Sequence, residues 1–301
     1  MAFGFDVAAL PAYTDQLSLD LISKVVLKTD LLDFVDLRSG FTSGTVAINL
    51  VDAALPVSAL SCGWTSDGQV TYTQVNVIIE SLQSKTEMCV EDLRATYQSA
   101  FMNAGTGNDF IPFENVISES YSDKLRKYNE GFLINGSAGG AMTGLKGQIT
   151  AANGANLQGG AIAAWTAANA FEQALDLYDA IDESVKDRDD LIMVVSPDAY
   201  RALVRALVAQ NLYHFNSVES NDILILPGTN VTVVKSSGLV GSDYKMAGPG
   251  KMILAATGLT DELDSFRFFY DEAADVMKFR AAWRLGVGVG EVNLFGTNDM
   301  A

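Results

Sequence analysis

Hydrophobic positions follow two rhythms along this chain, and each change of rhythm marks a new element. Asp15 is placed to cap a helix that carries Leu17, Leu21 and Val25 at four-residue spacing. A second apolar cluster, Leu31, Leu32, Phe34, Val35 and Leu37, ends at Arg38-Ser39-Gly40, so the first segment reads as an arm of short elements. From Thr45 the period falls to two. Val46, Ile48 and Leu50 alternate with Thr45, Ala47 and Asn49, and Thr71, Thr73, Val75 and Val77 alternate with Val70, Tyr72, Gln74 and Asn76. These are two half-buried strands, the second preceded by the turn signal Ser66-Asp67-Gly68. Residues 51–69 between them carry little charge and form a long connection for a compact domain, which predicts a projecting hairpin that finds its packing elsewhere.

The helical period returns over Val90–Met102, with Leu93, Tyr97 and Phe101 four apart, and is broken at Ala104-Gly105-Thr106-Gly107-Asn108. Pro112 opens the clearest helix, residues 113–133, whose stripe is Phe113, Val116, Ile117, Tyr121, Leu125, Tyr128 and Phe132. Its other face holds Glu114, Glu119, Asp123, Lys124, Arg126, Lys127 and Glu130, and Asn135-Gly136 ends it. Gly131 to Gly160 contains nine glycines and one charge, Lys146, and reads as a flexible excursion. A long amphipathic helix is expected next, with Trp165, Ala168, Phe171, Leu175, Tyr178 and Val185 buried and an acidic face of Glu172, Asp176, Asp179 and Glu183. Leu191–Val195 is a continuous apolar run, the pattern of a strand covered on both faces. Ser196 as N-cap and Pro197 at the first helical position then start a helix with Tyr200, Leu203, Val204, Leu207 and Val208 on its apolar face. Short strands follow at Ile223–Leu226 and Val231–Val234, then a strand around Phe266, Phe268 and Tyr270. A last long strand places Met277, Phe279, Ala281, Trp283, Leu285 and Val287 on one face and Lys278, Arg280 and Arg284 on the other.

Composition narrows the function. Over 301 residues, 49% hydrophobic content builds a core and excludes wholesale disorder. Twenty Lys and Arg against 37 Asp and Glu give a net charge of -17, which disfavours gripping nucleic acid or an anionic membrane surface. No apolar stretch is long enough to span a bilayer, and the first twelve residues carry no basic region of a secretory signal. Cys62 and Cys89 are too few for a disulfide framework and read as buried thiols of a protein folded in a reducing cytoplasm.

The candidate chemistry fails on inspection. Gly286-Val287-Gly288-Val289-Gly290 lacks the third glycine of a dinucleotide fingerprint and has no room for a following helix, so it reads as glycines in a bent strand. Lys146 is followed by Gly147 rather than Ser or Thr, unlike a phosphate loop. The one histidine, His214, has no catalytic partners in view, and the acidic helix face lacks the turn that a calcium loop needs. No catalytic residue, metal ligand or cofactor is assigned. What remains is a chain with an arm and an over-long hairpin, which reads as a subunit that buries surface against copies of itself.

The order of these elements resembles the major capsid proteins of tailed double-stranded DNA bacteriophages, the Hong Kong 97 fold. The resemblance covers nearly the whole chain. It lies in the helical arm, the hairpin near Thr45–Val77, and a long helix ending in Glu130-Gly131-Phe132-Leu133-Ile134-Asn135-Gly136. It continues in the strand-to-helix step Met193-Val194-Val195-Ser196-Pro197-Asp198-Ala199-Tyr200 with Leu203, and in a β-rich return. It implies an α+β fold with an N-terminal arm (1–44), an extended β-hairpin loop (45–77), a peripheral domain (78–150 and 255–301) with a spine helix at 113–133, and an axial domain (151–254). It further implies self-assembly into hexamers and pentamers of an icosahedral head enclosing DNA, without cofactor, catalysis or membrane, in a virion assembled in the host cytoplasm. Portal, scaffolding and decoration proteins are further partners of such shells. Some members crosslink through a lysine of the extended loop; Val51–Tyr72 holds none, so that chemistry is expected to be absent. Because the chain starts close to the arm, any scaffold is expected to be a separate protein. An encapsulin-type nanocompartment shell shares the fold and is the nearest alternative; an α/β enzyme with an unrecognised site is the other. Trp64 near the loop tip, the cations Lys278, Arg280 and Arg284, and the acidic stripe Glu172, Asp176, Asp179 and Glu183 are the expected inter-subunit contacts.

Overall fold

The computed structural model of the chain describes residues 31–41, 44–53, 70–89, 113–139, 141–159, 163–211, 224–258, 267–271, 274 and 276–299. The helices expected near Asp15 and over Val90–Met102, the hairpin tip with Cys62 and Trp64, and His214 lie outside these residues.

In chain order the strands are β1 (Asp36–Ser39), β2 (Gly44–Ala53), β3 (Val70–Cys89), β4 (Asn156–Leu157), β5 (Leu191–Val195), β6 (Leu224–Ile225), β7 (Thr232–Lys235), β8 (Met246–Pro249), β9 (Ile253–Thr257), β10 (Arg267–Asp271), β11 (Val276–Val289) and β12 (Gly296–Thr297). The α-helices are α1 (Phe113–Asn135), α2 (Leu145–Gln148), α3 (Ala170–Asp179) and α4 (Pro197–Ala209). The strands form two sheets. The first runs β1-β9-β11-β3-β2, with β10 also paired to β11; the second runs β4-β12-β8-β5-β7-β6.

The first sheet is built on two long antiparallel partners. β11 pairs with β3 from Val276 opposite Cys89 to Gly286 opposite Ile79. The period-two pattern of β11 is realised: Phe279, Ala281, Trp283, Leu285 and Val287 are buried and Arg280 is exposed. Gly286 and Gly288 let this strand lie flat on its neighbour, since a Cβ on Gly288 would sit 2.3 Å from a Val77 methyl. β1 pairs parallel with β9, so residues 36–39 at the end of the first apolar cluster form an edge strand of this sheet. Val77, Ile79, Leu254 and Ala256, with Phe41 against them, make a small second core separate from the main one.

α1 packs its last turns on β11 and on the turn Ser237–Leu239. The sequence places Tyr128 in the apolar stripe and Glu130 on the polar face; the structure reverses both. Tyr128 is 54% exposed, whereas Asn129 and Glu130 are buried. The helix end is enclosed on two sides rather than one. Ser237 Oγ donates to the Glu130 carboxylate from the second side, while Trp283 meets Tyr128 edge-on from the sheet.

The described residues of the glycine-rich stretch pack on the subunit and do not form an excursion. Residues 131–135 finish α1, and Met142, Leu145 and Ile149 are buried in the main core. Its glycines serve close approach. A Cβ on Gly144 would fall 2.3 Å from the Gly136 nitrogen, and Gly136, at φ +82°, bridges to Thr143.

The helix expected from Trp165 to Val185 is limited to α3. Thr166 N and Oγ1 both donate to Asn169 Oδ1, closing a turn before the helix. Asp182 accepts from Ser184 N at 2.9 Å and starts a separate 3-10 turn, Glu183–Val185. The buried face is Ala170, Gln173, Ala174 and Leu177, with Phe171, Leu175 and Tyr178 at its flank; Ala168 is exposed. The step from β5 to α4 follows the sequence. All five residues of β5 are buried, and Ala199 N donates to Ser196 Oγ at 3.2 Å with Pro197 in the first turn.

Candidate interaction surfaces

The β2–β3 hairpin is the first candidate. Its strands pair over ten positions, from Gly44 opposite Ile79 to Ala53 opposite Val70. β11 pairs with β3 only from Ile79 onward, so among the described residues, 70–78 have β2 as their one strand partner. At ~3.3 Å per residue this is a ribbon about 30 Å long. A two-stranded ribbon is marginal by itself in water. One face of this ribbon carries Val70 (49% exposed), Tyr72 (74%) and Ile78 (41%), apolar area on the surface of the subunit.

The second candidate is the solvent side of the first sheet. Antiparallel register puts Arg280 directly opposite Lys85, and both are exposed; on its other side Arg280 is in register with Arg267 of β10. Lys278 is opposite Glu87 and donates to Asp271 Oδ2 at 2.5 Å, an ion pair that holds the ammonium above its ordinary range. Arg284, four positions beyond Arg280, is half-buried. The three strand cations therefore share one face, but Lys278 is already engaged by β10.

The acidic stripe belongs to the second sheet. Glu172 and Asp179 are exposed and Asp176 half-buried on α3. Glu183 stands apart in its own turn, where Lys186 binds it at 2.8 Å, with the Lys186 ammonium also 5.6 Å from the Tyr178 ring centre. The structure does not bring the stripe onto the strand cations within one subunit.

Two features of the second sheet carry no distinct sequence signal. A groove of about 520 Å³ lies between Trp165, Thr166 and Ala167 on one wall and Asp198, Arg201 and Arg205 of α4 on the other. Only the spacing of the two arginines, four apart on one helix, hints at it. Lys245 is 1% exposed. Its ammonium donates to the Asp243 carbonyl at 2.7 Å and lies 5.4 Å from the Trp165 ring centre, and burial pulls its pKa down. Next to it, Tyr244 donates its hydroxyl to the Ile149 carbonyl at 2.8 Å, and burial pushes that hydroxyl up.

Among the described residues no three His, Cys, Asp or Glu side chains gather where a metal could sit. No helix among them is long and apolar enough to cross a membrane. The surfaces described offer contact area and charge.

No family model matches the chain, and no curated protein matches it. Solved structures do. The capsid of the native GTA particle superposes with a TM-score of 0.59 at 15% identity, over 90% of this chain and 89% of that one. Gordonia phage Cozz gives 0.58 at 11% identity, over 90% and 85%. The SrpI encapsulin of Synechococcus elongatus PCC 7942 gives 0.55 at 11%, over 90% and 86%. The likeness extends along nearly the full length of each chain, and the chain has the mixed α/β fold of these phage capsid and encapsulin shells.

Proposed function

We propose that this chain is the major capsid protein of a tailed double-stranded DNA phage, self-assembling into the icosahedral shell of the head. The observation that carries this reading is the hairpin. It is a ten-pair ribbon with Tyr72 and Val70 exposed, its tip-side residues 70–78 paired among the described residues with β2 alone, on a fold shared with capsid shells. Such a ribbon is stabilised by lying on a neighbouring copy. In this reading α1 is the spine helix of a peripheral domain around the first sheet. The second sheet is the core of an axial domain at the capsomer centre, and the residues before β1 form an arm. The net charge of -17 suits a wall that encloses DNA without adhering to it. The work of the chain is then structural and non-enzymatic, in a virion assembled in the host cytoplasm, with portal, scaffolding and decoration proteins as further partners.

The likeness to the SrpI encapsulin supports a second reading, a nanocompartment shell. Expression of the full chain, followed by sizing and electron microscopy, tests the shell. Closed particles are expected, and a small monodisperse oligomer under all conditions would overturn it. The contents separate the two readings: nuclease-protected DNA in particles from the native source fits the head, and a packaged enzyme fits the compartment.

A further inference from the structure

We propose that the second sheet carries a head-to-tail contact between copies, in which the α3 stripe of one copy docks on the arginine face of α4 of the next. This rests on the shell reading in so far as copies must meet repeatedly around an axis.

The argument starts from the layer the two helices make. α3 and α4 touch, α3 lies on β12 and β8, and α4 lies on β7. Strand order puts β12 and β7 on opposite sides of the β8–β5 centre. The acidic helix thus sits toward one edge of the sheet and the basic helix toward the other.

Their outward faces match in spacing and oppose in charge. Glu172, Asp176 and Asp179 recur at four and three residues on α3; Arg201, Arg205 and Val208 recur at four and three on α4. A four-residue step is about 6 Å on any α-helix, so carboxylates and guanidinium groups fall in register when the helices lie alongside. Val208, expected from the sequence pattern on the apolar face with Leu203 and Leu207, is instead 54% exposed on this one and adds apolar area to the charged pairs.

The arginines are available to a partner. Although the helices touch within one copy, no described ion pair joins either arginine to the stripe. Arg201 pairs with Asp198, where both side chains are well exposed at 66% and 72%, and Arg205 makes no ion pair among the described residues. An exposed pair such as Arg201–Asp198 contributes little and exchanges readily. Arg205 borders the groove walled by Trp165, an open recess able to receive a carboxylate side chain. The occupant with complementary charge is a second copy of this acidic chain. Because donor and acceptor faces are different patches, the contact is heterologous and propagates as a ring when its rotation closes.

Charge exchange in the full-length chain tests this. Arg201→Glu with Arg205→Glu, and separately Glu172→Arg with Asp176→Arg, should each lower particle yield at least about tenfold, since each sets like charges face to face. Combining all four restores complementarity and should recover assembly. Arg201→Gln with Arg205→Gln, which removes charge but keeps polar side chains of similar reach, should give an intermediate loss. Normal assembly of either reversed pair, or a fourfold variant no better than the pairs, overturns the contact. The shell reading fails separately. If wild type forms rings or small oligomers but never closes, the same variants are scored on those oligomers by sedimentation. The contact then stands or falls on rescue alone.

Discussion

Trp283 Nε1 donates to Asn129 Oδ1 at 2.9 Å, both residues buried and 154 positions apart in the chain. This bond ties the long helix α1 to the central strand β11. It fixes the rotation of the helix on the sheet, because α1 presents Leu125, Asn129 and Phe132 to the core through this turn. Asn129→Leu removes this acceptor from the buried indole N–H and should cost ~1–3 kcal/mol. Trp283→Phe removes the donor and part of the ring and should cost a similar amount or more. The double variant should be less destabilised than the sum, because each single change already removes the shared bond. Additive losses in a denaturant-melt cycle would remove this bond from the account of how α1 is seated.

The glycine contacts make a sharper test. Gly144 has an ordinary φ of -73°, so any residue fits its backbone, yet a Cβ there meets backbone atoms at 2.3–2.5 Å on Gly136, Ile134 and Asn135. Gly144→Ala should therefore destabilise through overlap alone, by ~1–3 kcal/mol or more. Gly131, inside α1 with nothing within 4 Å of its Cβ position, should respond the other way. Gly131→Ala should stabilise by ~0.5–1 kcal/mol. Equal melting shifts for the two would show that flexibility, not contact, governs this stretch.

These two sites mark what the sequence discloses. Alternation along β11 and the Ser196-Pro197 start of α4 are local signals, set by one face of one element, and both are read correctly from the residues. The burial of Asn129 and Glu130 is not local. Glu130 meets the turn at Ser237 and Asn129 meets Trp283 of β11, both arriving from more than a hundred residues away. Glycine count likewise signals conformational freedom but not the partner that fills the space, so the stretch after α1 looks loose in sequence although Met142, Leu145 and Ile149 lie in the core. The α3 stripe is legible as a charged face, whereas the groove beside α4 depends on how the Trp165 turn is placed. Lys245 lies in a plain run, Tyr244-Lys245-Met246, where nothing distinguishes a buried lysine from an edge one.

Lys245 sets a pH dependence. Desolvation lowers its pKa in the fold, with Asp243 opposing, so the unfolded chain binds the proton more readily. Stability from this group is fully present above the unfolded value of about 10.5 and is lost as pH falls toward the lowered native value. The melting temperature of the wild type should thus gain from this group on raising pH toward 10, against losses from exposed groups that titrate there. Lys245→Met should melt no lower than wild type at pH 7 and should lack that alkaline gain. The Asp243 carbonyl keeps the Asn298 amide at 2.6 Å as a donor, so no acceptor is stranded. A marked destabilisation by Lys245→Met at pH 7, with the alkaline gain retained, would show the ammonium to be better satisfied than its surroundings indicate.

The hairpin should be dispensable for folding and required for closure. Among the described residues, 70–78 pair only with β2, and Val77 is the described core residue nearest the tip. Replacing Leu50–Tyr72 by a short turn should leave a soluble subunit with an unchanged melt and no closed shells. Normal particles from this variant would assign the ribbon another role. Particles of the intact chain, boiled without reductant, should run as one band near 32.2 kDa, since the loop has no lysine to crosslink. A ladder of multimers would reveal a covalent link.

The last expectation concerns the cations of β11. Arg280 is directly opposite Lys85 and in register with Arg267, so three basic residues stand in one row across three strands. Like charges opposite each other on a sheet are unfavourable, and a chain with net charge -17 does not need them for solubility. We expect the row to be used outside the subunit, against acidic surface of a neighbouring copy. Arg280→Glu should then have opposite effects at two levels. Within the subunit it faces Lys85 with a carboxylate, so thermal stability should hold or rise slightly. Between subunits it should slow or misdirect assembly, more so with Arg284→Glu added. Arg284 is half-buried, so the single variant is the cleaner probe. Wild-type assembly should also depend on salt, because exposed pairs are screened over ~10 Å at 0.1 M. If Arg280→Glu assembles at the wild-type rate with the same salt response, the row is ordinary strand surface and the repulsion is simply tolerated.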